Sequence, residues 1–246
     1  MLPNRRASGW TGSGFILFTM RKNMTSDRSV TVLISGRGSN LKALIEKARG
    51  YRISTVLSNS ADAGGLAIAR EHGIPTRTVL RTDYPTLSDF KRAVLDAVRE
   101  TNSDIVALAG FMMVLHPAFI EAFPERIVNI HPSLLPKYPG LDTHTRALQA
   151  GEKHHGCTVH LVDAGIDTGL IVAQGAVEVL ATDDPDTLSA RVLSVEHKLY
   201  PWTLSMIACG EIAFSRGEVI YSARATDEAR EWGFELRKPT SIGERR

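Results

Sequence analysis

The chain has 246 residues, 43% hydrophobic and 23% charged, which suits one domain with a sizeable core. A net charge of +2 excludes the strongly basic surface that nucleic acid or an anionic membrane would require, and no run reaches the roughly twenty apolar residues of a membrane span. Two cysteines, Cys157 and Cys209, with no CxxC pair and no His/Cys ligand spacing, argue against a disulfide scaffold or a structural zinc; they fit a reducing compartment and hence a soluble, cytoplasmic protein.

Residues 1–26 contain no Asp or Glu but include Arg5, Arg6, Arg21 and Lys22. Their longest apolar run is shorter than the h-region of a secretory signal. Two origins stay open: an organellar transit peptide, or upstream sequence with Met20 or Met24 as the true start. Either way, 1–26 reads as a disordered extension. Residues 30–35, VTVLIS, form a β-branched run followed at once by Gly36-Arg37-Gly38-Ser39-Asn40. Leu41, Leu44, Ile45 and Ala48 then recur at helical spacing. Strand, glycine turn and helix N-terminus together make an anion site, because free N–H groups and the helix dipole point at the ligand. Leu41 stands where the third glycine of a dinucleotide fingerprint would be, and the P-loop lysine is absent, which favours a monophosphate. A tight turn with no ligand is the plain alternative.

Further strands are expected at 52–58, 74–79 and 104–109, with helices at 66–72 and 86–100. Leu87, Phe90, Val94 and Val98 form the buried stripe of the second helix. This alternation predicts an α/β, doubly wound, mostly parallel sheet in a single domain. Ligands of such sheets sit beyond the carboxyl ends of the strands, where the glycine turn and the loop Met112-Met113-Val114-Leu115 both fall. Core packing is the ordinary reading of that loop, and a seat for a flat heterocycle the functional one.

Residues 127–140, IVNIHPSLLPKYPG, organise the site. An extended segment before Pro132 sets Asn129, His131 and Ser133 on one face and Val128 and Ile130 on the other. An amide, an imidazole and a hydroxyl at a rigid strand end make a plausible reaction site. The alternative is an edge strand whose histidine makes one structural hydrogen bond.

After Gly140, a short helix is expected at 145–150, with His154 and His155 as solvated loop residues. Strands at 156–162 and 171–179 flank a turn-rich loop bearing Asp163 and Asp167. A helix over 186–208 breaks or bends near Pro201, and 213–221 reads as a hairpin around Arg216-Gly217. The domain then covers 27–222, and 223–246 is an unpatterned, peripheral charged tail.

Taken together, ISGRGSNL, SNSADAGGLAIAREHGIPT, LAGFMMVL, NIHPSLLPKYPG, HGCTVHLVDAGIDTG and EHKLYP strongly resemble the phosphoribosylglycinamide formyltransferases (GAR transformylases) among the folate-dependent formyltransferases. The resemblance covers roughly residues 30–210. It implies a Rossmann-like formyltransferase fold and transfer of a formyl group from 10-formyltetrahydrofolate to the glycinamide amine of a ribosyl monophosphate. The folate is a co-substrate, with no tightly bound cofactor and no metal; partners are small molecules only, in a monomer or homodimer. By motif matching, Asn129, His131 and Asp167 are the catalytic trio. Asn129 and His131 would stabilise the oxyanion, and Asp167 would orient the imidazole. Gly38, Ser39 and Asn40 would take the ribose phosphate, and Glu196 the ribose or glycinamide end; from spacing alone Glu196 reads equally as a helix-surface carboxylate. Met112, Met113, Val114 and Leu115, with Asn129, Val162, Asp163 and Asp167, would line the folate site, Asp163 shaping its loop. Lys137, Tyr138 and Gly140 would stiffen the catalytic loop, and a cis Leu135–Pro136 bond is implied.

The chain departs from the pattern at Leu87 and Met113, where relatives often carry arginines thought to meet the glutamate tail of folate; altered tail affinity is the expected result. Methionyl-tRNA formyltransferases share an HPSLLP-like loop but add a basic C-terminal domain, and formyltetrahydrofolate deformylases add an N-terminal regulatory one. A non-catalytic nucleotide-binding module is the remaining alternative.

Overall fold

Strand β1 (Arg28–Ile34) shows how the sheet is built. Val30, Val32 and Ile34 are buried in one hydrophobic cluster and Leu33 in another, as two-residue alternation between covered faces requires. The computed structural model describes residues 27–237, so the extension expected at 1–26 and the end of the chain, 238–246, lie outside it.

After β1 come α1 (Ser39–Glu46), β2 (Tyr51–Ser58), α2 (Gly64–Glu71), β3 (Thr76–Thr78), α3 (Leu87–Arg99), β4 (Ile105–Leu108), α4 (Pro117–Ala122) and β5 (Ile127–His131). The five strands run parallel in the order β3-β2-β1-β4-β5. Leu41 and Leu44 of α1 and Leu66 and Ala69 of α2 cover one face; Phe90, Val94 and Val98 of α3 and Phe119 of α4 cover the other. Leu87 does not join the α3 stripe: it is 52% exposed. It directly follows the N-cap Thr86, whose hydroxyl accepts from the Asp89 N–H, and the buried stripe begins at Phe90.

The second half adds α5 (Thr143–Gln149), β6 (His154–Leu161), β7 (Ile171–Glu178), α6 (Pro185–Ala208), the hairpin β8 (Ile212–Ser215) and β9 (Glu218–Tyr221), α7 (Ala223–Trp232) and β10 (Phe234–Leu236). β6, β7 and β10 are antiparallel and extend the sheet to eight strands, β10-β7-β6-β5-β4-β1-β2-β3. Helix α6 starts on a capping box between Asp184 and Thr187 and continues through Pro201. Proline lacks an N–H and leaves the carbonyl four residues back without its helical donor; Lys47 Nζ of α1 donates to that oxygen, on His197, at 2.7 Å. Tyr200, fully buried, sets its hydroxyl 3.0 and 2.9 Å from the carbonyls of Leu108 and Val128, fixing α6 under β4 and β5.

Two expectations are corrected. His154 and His155 are not loop residues: they open β6, and His155 is buried. The segment after residue 222 is not a peripheral tail. Ala225 and Ala229 of α7 and Phe234 of β10 belong to the main core, and β10 pairs with β7. The folded unit therefore runs past 222 to at least Leu236.

Candidate active site

The carboxyl edge of the parallel strands is assembled from three loops. After β1, Gly38 takes φ +81°, and a Cβ there would lie 2.4 Å from Gly65 Cα at the head of α2, so only glycine fits the turn. No side chain caps α1, which leaves its first-turn N–H groups facing outward from the turn. Asn40 donates through Nδ2 to Glu196 Oε2 at 2.7 Å, across the gap to α6. Its Oδ1 is buried without a partner, an acceptor left over for a ligand donor. Glu196 is 6% exposed, not a surface carboxylate; burial raises its pKa, against the pull of the Asn40 hydrogen bond.

The loop after β4 is stitched to the first. Ser35 N–H donates to the Gly110 carbonyl at 3.1 Å, and the Met112 N–H donates to the Ser35 hydroxyl at 2.8 Å. Met112 and Val114 point outward, 69% and 54% exposed, whereas Leu115 is buried and Met113 and Val162 pack half-buried against the core. Of the four apolar side chains in that loop, two thus offer open apolar surface.

The third loop follows β5. Asn129 and His131 share a face, and Val128 and Ile130 anchor the other in the core. Ser133 does not extend that face. The chain turns at Pro132, and the Ser133 hydroxyl donates to the Lys137 carbonyl at 2.7 Å. Across the loop, Leu135 N–H donates to the Thr158 hydroxyl, which itself donates to the Ser133 carbonyl, while Gln174 holds the Leu135 carbonyl. The Leu135–Pro136 bond is cis. Lys137 Nζ and the Tyr138 hydroxyl both donate to Glu152, whose carboxyl they hold below its ordinary range.

Asp167 is 36 positions from His131 in sequence and beside it in space, with Oδ2 3.3 Å from the ring Nδ1. The same Oδ2 accepts the Gly140 N–H at 2.9 Å. On the other ring nitrogen, Nε2–H of His131 donates to the Tyr138 carbonyl at 2.9 Å. Asp167 itself sits at φ +54°, a left-handed conformation that a loop rich in local bonds sustains. Asp163 supplies them, accepting the Gly165 N–H at 3.0 Å and the Thr168 hydroxyl at 2.7 Å. Asp163 therefore shapes this loop.

His160, which sequence reasoning did not single out, completes the set. It lies opposite Asn129 in the β5–β6 register. Its Nδ1–H donates to the Leu161 carbonyl at 2.9 Å, so neutral His160 carries its lone pair on Nε2 and accepts from Asn129 Nδ2 at 3.1 Å. Burial lowers the His160 pKa and keeps it in that neutral form, more than Asp167, with Oδ1 3.6 Å from Nε2, raises it. One Asn129 N–H is thereby fixed, and the amide is oriented with its second N–H available. Alternating polar residues in 154–160 hint at this face, but the register that pairs 129 with 160 is a property of the fold. Among the described residues, no group of three His, Cys, Asp or Glu is arranged to hold a metal.

A profile described as formyl transferase matches residues 28–204. The chain belongs to the formyl transferase family. The formyltransferase is 43% identical over 188 residues to the phosphoribosylglycinamide formyltransferase of Escherichia coli (strain K12), covering 75% of this chain and 89% of the relative. It is also 43% identical to the human trifunctional purine biosynthetic protein adenosine-3, over 74% of this chain but 18% of that longer protein. Among solved structures, the phosphoribosylglycinamide formyltransferase of Coxiella burnetii superposes with a TM-score of 0.76 at 40% identity, covering 80% and 94% of the two chains. That of Brucella melitensis gives 0.71 at 47% identity, over 77% and 100%.

Proposed function

We propose that this formyltransferase moves the formyl group of 10-formyltetrahydrofolate to the amine of N1-(5-phospho-ribosyl)glycinamide, giving the N2-formyl product and tetrahydrofolate in purine biosynthesis. The observation that carries this reading is the convergence of Asn129, His131 and Asp167 at one sheet edge, beside a glycine turn fit for a phosphate. The phosphate lies on the first-turn amides around Gly38, Ser39 and Asn40. Glu196 and the unpartnered Asn40 Oδ1 hold the ribose or glycinamide end. The pterin rests against Met112, Val114 and the loop around Val162, Asp163 and Asp167, with Met113 and Leu115 supporting it from the core side.

The amine nitrogen attacks the formyl carbon, and the carbonyl electron pair moves to oxygen. The second N–H of Asn129 and the His131 ring stabilise that oxyanion, held in place before reaction by His160, Tyr138 and Asp167. As the carbon–nitrogen bond to folate breaks, the oxyanion reforms the carbonyl. The proton lost by the amine reaches the leaving folate nitrogen through water at Asp167 Oδ1, the oxygen free of the Gly140 bond. All these groups come from one chain, which suits a monomer or homodimer. Two unpaired thiols, Cys157 and Cys209, suit the cytoplasm.

The test mixes the protein with 10-formyl-folate, with and without the ribonucleotide, and follows folate absorbance. Turnover that requires the ribonucleotide supports the transferase. Turnover without it indicates a deformylase, and none at all a binding module.

A further inference from the structure

A cavity of about 540 Å³ opens behind the catalytic loop, between residues 134–138 and the turn from α5 into β6. Asn129, His131 and Asp167 do not line it, nor does any residue of the glycine turn or of the loop after β4. Leu135, buried, and Pro136 supply its apolar side; Lys137, Glu152, Lys153 and His154 supply its charged and polar side. Glu152 is already committed: Lys137 Nζ donates to its two oxygens at 2.8 and 3.0 Å, and the Tyr138 hydroxyl donates to Oε1 at 2.8 Å. The side chains of Lys153 and His154 make no ion pair or hydrogen bond with a described residue. Two lysines against one carboxylate leave surplus positive charge beside apolar carbons, which suits an oxyanion on an apolar body. The volume is that of pockets that take metabolite-sized ligands.

Tyr138 joins this cavity to the reacting groups. Its hydroxyl is bonded to Glu152 on the cavity side, and its carbonyl accepts Nε2–H of His131 at 2.9 Å. The ring in between packs edge-on against His155 at 6.2 Å, with the Arg146 guanidinium over it at 5.3 Å, so a pull on the hydroxyl moves the residue as a unit. The neighbouring carbonyl, of Lys137, is held by the Ser133 hydroxyl at 2.7 Å. Residues 137 and 138 are thus tied by their side chains to Glu152 and by their backbone to Ser133 and His131. A ligand shifts a conformational equilibrium only if it binds the two states unequally. Here the inequality comes from Lys137, whose ammonium an incoming oxyanion takes by drawing it away from Glu152.

We propose that this cavity is a regulatory site for a small apolar oxyanion, a carboxylate or a phosphate monoester, held by Lys137, Lys153 and His154, and that its occupant slows turnover by displacing the Tyr138 carbonyl from His131. The kinetic half of the proposal rests on the formyl-transfer reading, and the binding half stands without it. Partly exposed ion pairs are each worth a few-fold in affinity, so the charge should contribute roughly tenfold over a neutral body of the same shape. Because the occupant overlaps neither co-substrate, it lowers kcat and leaves both KM values unchanged.

The experiment titrates 1-naphthoate, 1-naphthyl phosphate and the neutral 1-naphthylmethanol into the full chain by calorimetry, with ribonucleotide saturating so that the glycine turn is filled. The native enzyme is compared with K153A/H154A. Both side chains are exposed, the thermal midpoint checks the fold, and K153A alone serves if the double variant is unstable. The expected result is that at least one anion binds roughly tenfold tighter than the alcohol, shifts the imidazole NMR signals of His131, and lowers kcat by roughly tenfold at unchanged KM. Which anion binds better tells a carboxylate source from a phosphate one. The variant keeps the native kcat in the absence of probe and binds all three probes alike. Equal binding of anions and alcohol by the native enzyme, or an anion preference that survives in the variant, overturns the site. Anion binding that leaves the His131 signals in place overturns the coupling, and a rise in either KM puts the probe in the active site and overturns the proposal. An enzyme that binds the anion and shifts His131 yet transfers no formyl group overturns the formyl-transfer reading and leaves the site standing.

Discussion

The parallel and antiparallel halves of the sheet build their parts of the site by different means. Around β1, α1 and α2 the chain relies on backbone: a left-handed glycine packed against a second glycine, uncapped amides, and one side-chain bond from Asn40 to Glu196. Around β5 and β6 it relies on side chains that fix one another, His160 setting Asn129 and Tyr138 and Asp167 bracketing His131. A backbone site tolerates exchange of its side chains but not of its turn. A side-chain network fails at any member, and it depends on protonation.

The contrast is broken most directly by His131→Ala, which should fold normally, by circular dichroism, while kcat falls by about 10³-fold or more. Asp167→Asn keeps the shape and removes the charge; a loss of roughly 10²-fold in kcat at unchanged ribonucleotide KM is expected, and near-native turnover would show that the ring needs no carboxylate. On the backbone side, Gly38→Ala must force a Cβ against Gly65 at positive φ. It should lower unfolding free energy by roughly 2–4 kcal/mol in denaturant titrations.

Protonation sharpens the same comparison. His155 Nε2 lies 3.2 Å from His144 Nδ1, and burial first, then that neighbour, lowers the His155 pKa to about 4. The unfolded chain takes up this proton near pH 6.5 and the folded chain only near 4, so stability is fully present above pH 6.5 and declines as pH falls between these values. For this group the loss is capped at roughly 3 kcal/mol, and the lowered His144 and His160 act in the same direction. Thermal midpoints measured from pH 7 to pH 4 should fall accordingly, and His155→Gln should flatten the curve. Smallest is Glu196→Gln, which keeps an acceptor for Asn40: about a tenfold rise in ribonucleotide KM with kcat held, and no change in folate KM.

The parallel half was readable because its signals are local. Apolar runs such as 104–109, the glycine turn and the alternation of 127–131 each state their conformation within a few residues. The Asn129/His131 face followed from that alternation, and the nearness of Asp167 from family likeness. His160 was missed because its partner is set by strand register. His154 and His155 looked solvated because imidazoles usually are, yet His155 is buried, with the ring of His144 beside it. The stretch after 222 looked unpatterned because alanines carry the buried face of α7, and alanine adds little to an apolar pattern. Ser133 left the expected face because proline ended the strand two residues early.

β10 contributes three residues, and its position at the outer margin of β7 gives them a protective duty. Shorn of everything beyond Tyr221, the protein would display to any neighbouring molecule the β7 backbone groups between Ala173 and Gly175 that face β10. Such a margin invites strand addition and self-templated assembly, so the truncated enzyme should precipitate on concentration before it loses its catalytic groups.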